Sequence, residues 1–293
     1  MNLSFFGSTL NQADIKGVLR QNDDDKNVSP DEMVAFAKAH GFHAHRRVNG
    51  TAALMKTLLS NGIPVLIETW MEPEPNDGMG HYRLLTGYDD ASQHWIAFDS
   101  YVSHDFVRDS DNYEGIILPY AETERLWQVF NRTYLLIYTD AQAAVVNAIY
   151  GSHLDEQTMW LQALADNRSE VSRESYNPFA WFNLGSSLNA LGNHTEAAAA
   201  FDRARQLGLP WRMLWYQFGP FEAYYNTGRY EEVLALAYAT IATTESVEEL
   251  YYWKGQGLAA TGNPRSASKA WEQALALNPS FHKARQALGL ASP

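Results

Sequence analysis

No cysteine occurs in the 293 residues. The chain as it stands therefore has no thiol nucleophile, no disulfide framework and no thiolate metal ligand. Long apolar runs are also missing, and nothing approaches the roughly 20 residues a membrane-spanning helix needs. Positive charge is scarce: 22 Lys and Arg face 34 Asp and Glu, for a net charge of −12. With no basic stripe to neutralise phosphates, nucleic acid is not an expected partner. The opening "MNLSFFGSTLNQADI" lacks the charged n-region of a secretory signal. Leu3 and Phe6 continue a helix-like apolar face, no cap precedes them, and Gly7 closes the segment. The chain reads as starting inside a helix.

What is present is abundant apolar material, 46% of residues, with 13% aromatic, enough for two cores. Two grammars divide it. From about residue 11 to 139, "NQADIKGVLR", "SPDEMVAFAKAHG" and "TAALMKTLLSNG" read as helices. The second opens on Ser29 as cap, Pro30 at the first position and Glu32 completing a capping box. Short β-branched or aromatic segments follow at 63–70, 80–89, 94–100 and 132–139, with a late helix at 122–130. The turn "DASQ" joins 80–89 to 94–100 as an antiparallel hairpin. This is an α+β domain with a small antiparallel sheet. The acidic run Asp23-Asp24-Asp25 reads as a solvated loop.

After about residue 140 the strand signals stop. Gly192, Gly228 and Gly262 recur in the contexts "ALGNHTEA", "NTGRYEEV" and "ATGNPRSA", close to the roughly 34-residue period of tetratricopeptide repeats. In the first repeat, Trp181, Leu184, Gly185 and Leu188 line one helix and Ala197, Phe201 and Ala204 the other. In the third, Gly255, Ala267, Trp271, Ala274 and Pro279 fill the same slots, with Trp271 expected in the core. Pro220 and Phe221 depart from the pattern, so the first helix of the middle repeat should be bent or short. Residues 281–290 read as a terminal capping helix. Residues 141–176 read as a further helical hairpin, either a degenerate repeat or a connector. The domains expected are 1–139, a connector at 140–177, and an all-α tetratricopeptide-repeat solenoid at 178–293.

His81 opens one strand of the hairpin and Asp99 ends the next. An aspartate beside a histidine fixes the ring tautomer and makes a better base, which suits activation of a thiol. The alternative is a hydrogen-bonded structural histidine. The combined wording "NGIPVLIETW…GHYRLLTGYDD…HWIAFDSY" resembles the papain-like domains of cysteine peptidase family thirty-nine, the bacteriocin-leader-processing type, over roughly residues 1–139. The stretch 208–225 is similar to bacterial proteins that fuse this domain to tetratricopeptide repeats. The resemblance implies a papain-like (cysteine proteinase) fold with His81 and Asp99 catalytic. It also implies a cysteine in a "C-G-P" context at a helix N-terminus, with an oxyanion-hole Gln just before it. "MNLSFFG" resembles later turns of that helix, so nucleophile and Gln are expected upstream of Met1. On that reading Met1 is an internal methionine, and an export signal would lie upstream too; otherwise the chain is a true pseudo-peptidase.

Other groups were weighed. His40, His43 and His45 cluster in "HGFHAHRRV", but alternation puts only His43 and His45 on one strand face, and exposed strand residues are the expectation rather than zinc. Ser4 and Ser100 are weak substitutes for the nucleophile. Trp211, Trp215 and Tyr216, with Phe218, Phe221, Tyr224 and Tyr225, could line a peptide or sugar groove or simply pack the repeats. No metal and no cofactor is expected. The function implied is a cysteine-peptidase-like domain, inactive as it stands, joined to repeats that bind a peptide or protein. The alternative is a non-catalytic scaffold built from both.

Overall fold

The computed structural model describes residues 1–20, 22–101 and 115–291. Helices α1 (Asn2–Phe5), α2 (Gln12–Leu19) and α3 (Pro30–Ala39) lead into strand β1 (His43–Arg47) and helix α4 (Ala52–Ser60). The chain then forms β2 (Val65–Met71), β3 (Met79–Asp89), β4 (His94–Asp99), β5 (Ile116–Pro119), α5 (Tyr120–Gln128) and β6 (Tyr134–Tyr138). The six strands make one antiparallel sheet in the order β1-β6-β2-β3-β4-β5. The α3 capping box forms as the sequence predicts, with Ser29 and Glu32 satisfying each other's backbone N–H groups. Strand β5 carried no clear signal in the sequence; its four residues add an edge beside β4.

Side-chain alternation gives the sheet two different faces. Val65, Ile67, Leu85, Trp95 and Ala97 pack with Met55 and Leu58 of α4. On the opposite face, Leu135, Ile137 and Ala44 pack with Leu3 of α1 and with Val34, Phe36 and Ala37 of α3. His43 and His45 share a face as alternation requires, both stacking on Tyr138, and His43 Nε2 contacts Asp140 at 2.6 Å.

The remaining helices are α6 (Ala143–Tyr150), α7 (Glu156–Arg173), α8 (Pro178–Ala190), α9 (His194–Leu207), α10 (Gly219–Asn226), α11 (Tyr230–Ile241), α12 (Glu248–Ala260), α13 (Pro264–Leu277) and α14 (His282–Ala287). From α7 onward each packs on the next, as stacked repeats do. Gly192, at φ 77°, turns the chain between α8 and α9, and Gly228 and Gly262 do the same in the later repeats. The middle repeat is shortened as Pro220 implies: α10 has eight residues, with that proline in its first turn. Glycines 185 and 255 let aromatic rings close on the helix backbone. A Cβ at Gly185 would lie 2.7 Å from Phe201, and one at Gly255 would lie 2.2 Å from Trp271 Nε1. Trp271 is half-buried rather than fully enclosed, because it packs at the outer end of the stack with its Nε1 donating to the Tyr252 carbonyl.

Residues 141–176 do not form one hairpin. Val146 and Tyr150 of α6 pack into the sheet core against Met55 and Tyr134, whereas α7 pairs with α8. The repeats also share a core with the first domain: Trp70, Val129 and Phe130 cluster with Leu164, Phe182 and Phe201. A buried polar network runs alongside. Asn167 Nδ2 donates to the Asn183 carbonyl, Ser187 Oγ and Asn131 Oδ1, and Asn183 Nδ2 donates to the Gln128 carbonyl. Arg132 forms ion pairs with Glu124 at 2.5 Å and with the buried Glu170 at 2.6 Å. Asn131 and Arg132 both hold φ at 51°, an uncommon conformation for side-chain-bearing residues, and these bonds fix it.

Candidate functional site: the His81–Asp99 pair and the cleft beyond it

The hairpin β3–β4 brings His81 and Asp99 together through a bulge. Pairing runs Asp89–His94, Tyr88–Trp95, Gly87–Ile96, and then shifts between Leu85 and Gly87, leaving Thr86 extra. Below the bulge, Leu85 pairs with Ala97 and Arg83 with Asp99. Uninterrupted pairing from the turn would have set Leu84 opposite Asp99, and His81 would then point to the other face. The bulge thus places His81, Arg83 and Asp99 on one face. Thr69, paired with His81 across β2, joins them.

Asp99 is 4% exposed, and donors to it among the described residues include the following. His81 Nε2 lies 2.9 Å from Oδ1, the Tyr101 backbone N–H donates to Oδ1 at 2.7 Å, and Arg83 Nε donates to Oδ2 at 2.9 Å. Arg83 also donates to Thr69 Oγ1 at 2.5 Å. Burial lowers the Arg83 pKa from its usual range, and Asp99 opposes that shift. A carboxylate at Nε2 assigns the ring proton to that nitrogen and leaves Nδ1 as the acceptor. His81 and Arg83 thus share one carboxylate, which orients the imidazole.

The sequence reading passed over Arg83. Its signal is simple: it lies two residues beyond His81, hence on the same strand face. The other half of a nucleophilic pair is not assembled from the residues proposed for it. Ser4 belongs to α1, whose Leu3 packs on the sheet face opposite His81, and its hydroxyl donates to the Met1 carbonyl. Ser100 is exposed.

The repeats touch this region from behind. Tyr216 and Phe130 lie against Gly80, the residue before His81; a Cβ there would be 3.0 Å from Tyr216 and 3.2 Å from Phe130. Trp211, 49% exposed, donates from Nε1 to the Asn76 carbonyl in the β2–β3 turn. Arg212 stacks on Trp211 and pairs with Asp77 at 2.6 Å. Trp215 is buried, with Nε1 donating to Thr243 Oγ1. Of the seven aromatics weighed for a groove, Tyr216 and Phe218 line one. Trp211 and Trp215 hold the turn and the helix stack together.

That groove is a cleft of about 1300 Å³ between the two domains. Ala35 and Phe36 of α3 and Glu68 of β2 contribute one wall; Ala190 of α8, Phe218 and Trp253 of α12 contribute the other. Near α12 it is bridged by amides: Asn27 Nδ2 donates to Glu249 Oε1 at 3.1 Å, and Asn278 Nδ2 contacts Glu32 at 3.2 Å and Glu248 at 2.6 Å. Burial dominates the titration of this region. It holds Glu68 up at about 8 against the field of Arg46, and Glu248 at about 7 despite the Asn278 bond. Glu249 is raised by burial and by Glu248. Asp25 is not part of a solvated loop like Asp23 and Asp24; it is half-buried, which pushes it to about 6.

Comparison with known proteins follows the same division. No curated protein matches the chain. Among solved structures, the chain is similar to MamA 41-end from Desulfovibrio magneticus RS-1, at 21% identity over 50% of this chain and 82% of that one, with a TM-score of 0.41. The MamA RS-1 ArsTM double mutant matches at 20% identity with the same coverage and TM-score. Tetratricopeptide repeats are matched at residues 157–208 and 252–292. Residues 1–133 match the Peptidase_C39 like family, so the chain joins a Peptidase_C39-like domain to tetratricopeptide repeats, with no cysteine anywhere in its sequence.

Proposed function

We propose that the protein holds a polypeptide partner in the cleft between its two domains, and that the peptidase-like domain serves as one wall of that site rather than as a thiol hydrolase. The cleft carries this reading. At about 1300 Å³ it exceeds the roughly 300–1,000 Å³ typical of small-molecule pockets. Its walls come from both domains, and tetratricopeptide repeats are suited to protein–protein contacts. The His81–Asp99 pair supplies an oriented imidazole, but no thiol is present for it to activate.

Two measurements test this. Ala35 and Ala190 are exposed and line opposite walls. A mixed peptide library should yield ligands whose binding is lost in Ala35→Trp and in Ala190→Trp; ligands indifferent to both would place the site elsewhere. The same library should show no cleavage. Turnover that disappears in His81→Ala would reveal a nucleophile and return the protein to the hydrolases.

A further inference from the structure

We propose that the cleft selects a lysine- or arginine-rich peptide segment, seating its cationic side chains between aromatic walls and buried carboxylates. This rests on the cleft being a polypeptide site and adds the chemical class of its occupant.

Charge complementarity is the first observation. Seven acidic side chains line the cleft, against one arginine, one lysine and two histidines. The arginine, Arg46, is already paired with Asp31 at 3.1 Å. The acids come from both domains, Glu68 and Glu32 on one side and Glu222 and Glu249 on the other.

The second observation is independent of the count. Glu249 Oε2 is shielded from solvent and has no hydrogen-bond partner, although Oε1 of the same carboxylate accepts from Asn27. A buried acceptor left unsatisfied is costly, and a carboxylate more so than a neutral group. Glu68, 6% exposed, is hydrogen-bonded to Tyr82 but has no ion-pair partner among the described residues, since the cation in its field is the Arg46 already held by Asp31. An ammonium or guanidinium group would give Glu249 Oε2 the partner it lacks and Glu68 a counter-ion, each acid giving up the proton that burial lets it keep.

The third observation is the lining between them. Phe36, Trp160, Phe218, Trp253 and Phe281 present ring surface in the same cleft. Aromatic faces attract cations and also cover the methylene stems of lysine and arginine. A dispersed set of acids among rings suits several side chains spaced along a peptide. It does not suit a metal ion, and no group of three or more metal-ligating side chains is found among the described residues.

The test uses the full chain and three peptides of equal length, lysine-rich, glutamate-rich and neutral, titrated by calorimetry at moderate salt. The lysine-rich peptide should bind with one-to-one stoichiometry and lose affinity in Ala190→Trp. The isosteric pair Glu68→Gln/Glu249→Gln should weaken it by about tenfold or more. The exposed pair Glu231→Gln/Glu245→Gln, which removes equal charge outside the cleft, should change it by less than about twofold. Equal losses in the two pairs would mean attraction to net surface charge and overturn the proposal. Neutral peptides that bind as tightly, and that Ala190→Trp displaces, would overturn the cationic assignment and leave the cleft standing. If no peptide of any charge is displaced by Ala35→Trp or Ala190→Trp, the cleft itself falls.

Discussion

Arg83 and Asp99 are cross-strand partners, and Arg83 Nε donates to Asp99 Oδ2 at 2.9 Å with both side chains almost fully buried. The pair is thus a structural ion pair that also presents a carboxylate oxygen to His81. Removing one partner leaves the other charge uncompensated. Asp99→Asn should cost about 3–5 kcal/mol, whereas His81→Ala should cost only about 1–2 kcal/mol. Urea unfolding of the two variants checks the ranking. Equal losses would show that His81, not Arg83, is the main structural partner of Asp99.

Gly80 is the point where the repeats press on the strand carrying His81. Gly80→Ala forces a Cβ to within 3.0 Å of Tyr216 and should cost about 1–3 kcal/mol by overpacking. Trimming the ring in Gly80→Ala/Tyr216→Leu should recover part of that loss. A double-mutant cycle with no coupling would show that the two domains do not meet there.

At the far end of the stack, Gly255 and Trp271 are in tighter contact. Gly255→Ala must displace the indole and break its bond to the Tyr252 carbonyl. A loss of about 1–3 kcal/mol is expected, with a red shift of tryptophan emission as the ring moves toward water. Because Trp271 is half-buried, Trp271→Ala should fall below the roughly 3–5 kcal/mol of a fully enclosed tryptophan.

Stability should fall as pH rises from about 4.5 to about 8. Glu68, Glu248 and Asp25 have folded-state pKa values near 8, 7 and 6, all above their ordinary values of 4.5, 4.5 and 3.8. Between the ordinary and folded values the native state holds more protons than the unfolded chain, so raising the pH favours unfolding. The groups facing them are Arg46, Asp31 and Tyr82 around Glu68, and Glu32, Asp25 and Glu249 around Glu248. Thermal unfolding at pH 5.5 and 8.5 measures the slope, and Glu68→Gln/Glu248→Gln should flatten it. An unchanged slope in that variant would assign the titration to other groups.

The hairpin was legible because its signals are local: two apolar segments, a short polar turn, and a His and an Asp at matching ends. The bulge at Thr86 was not, yet it decides that the two side chains share a face. The repeats were legible through their period and through Gly185 and Gly255, which mark where Phe201 and Trp271 close in. What could not be read was long-range. Glu32 looked like a helix cap and nothing more, and Glu248 and Glu249 carried no signal of their own. Only the fold brings these segments together through Asn27 and Asn278. In the same way Trp70 and Phe130 carried no mark showing that their neighbours would be Phe182 and Tyr216.

The attachments of the repeat arc at the two ends of the cleft have a kinetic consequence. The arc is fastened to the first domain near Asn131 and Asn167, and again where Asn278 meets Glu32, so the cleft has a bridge at each end. A folded protein cannot slide into such an enclosure sideways. An unstructured chain can enter by its terminus, or the lighter bridge can unlatch, let an internal segment in, and close behind it. Either route slows capture and slows escape together, so a polypeptide bound in the proposed site should be retained for far longer than on an open repeat array of equal affinity.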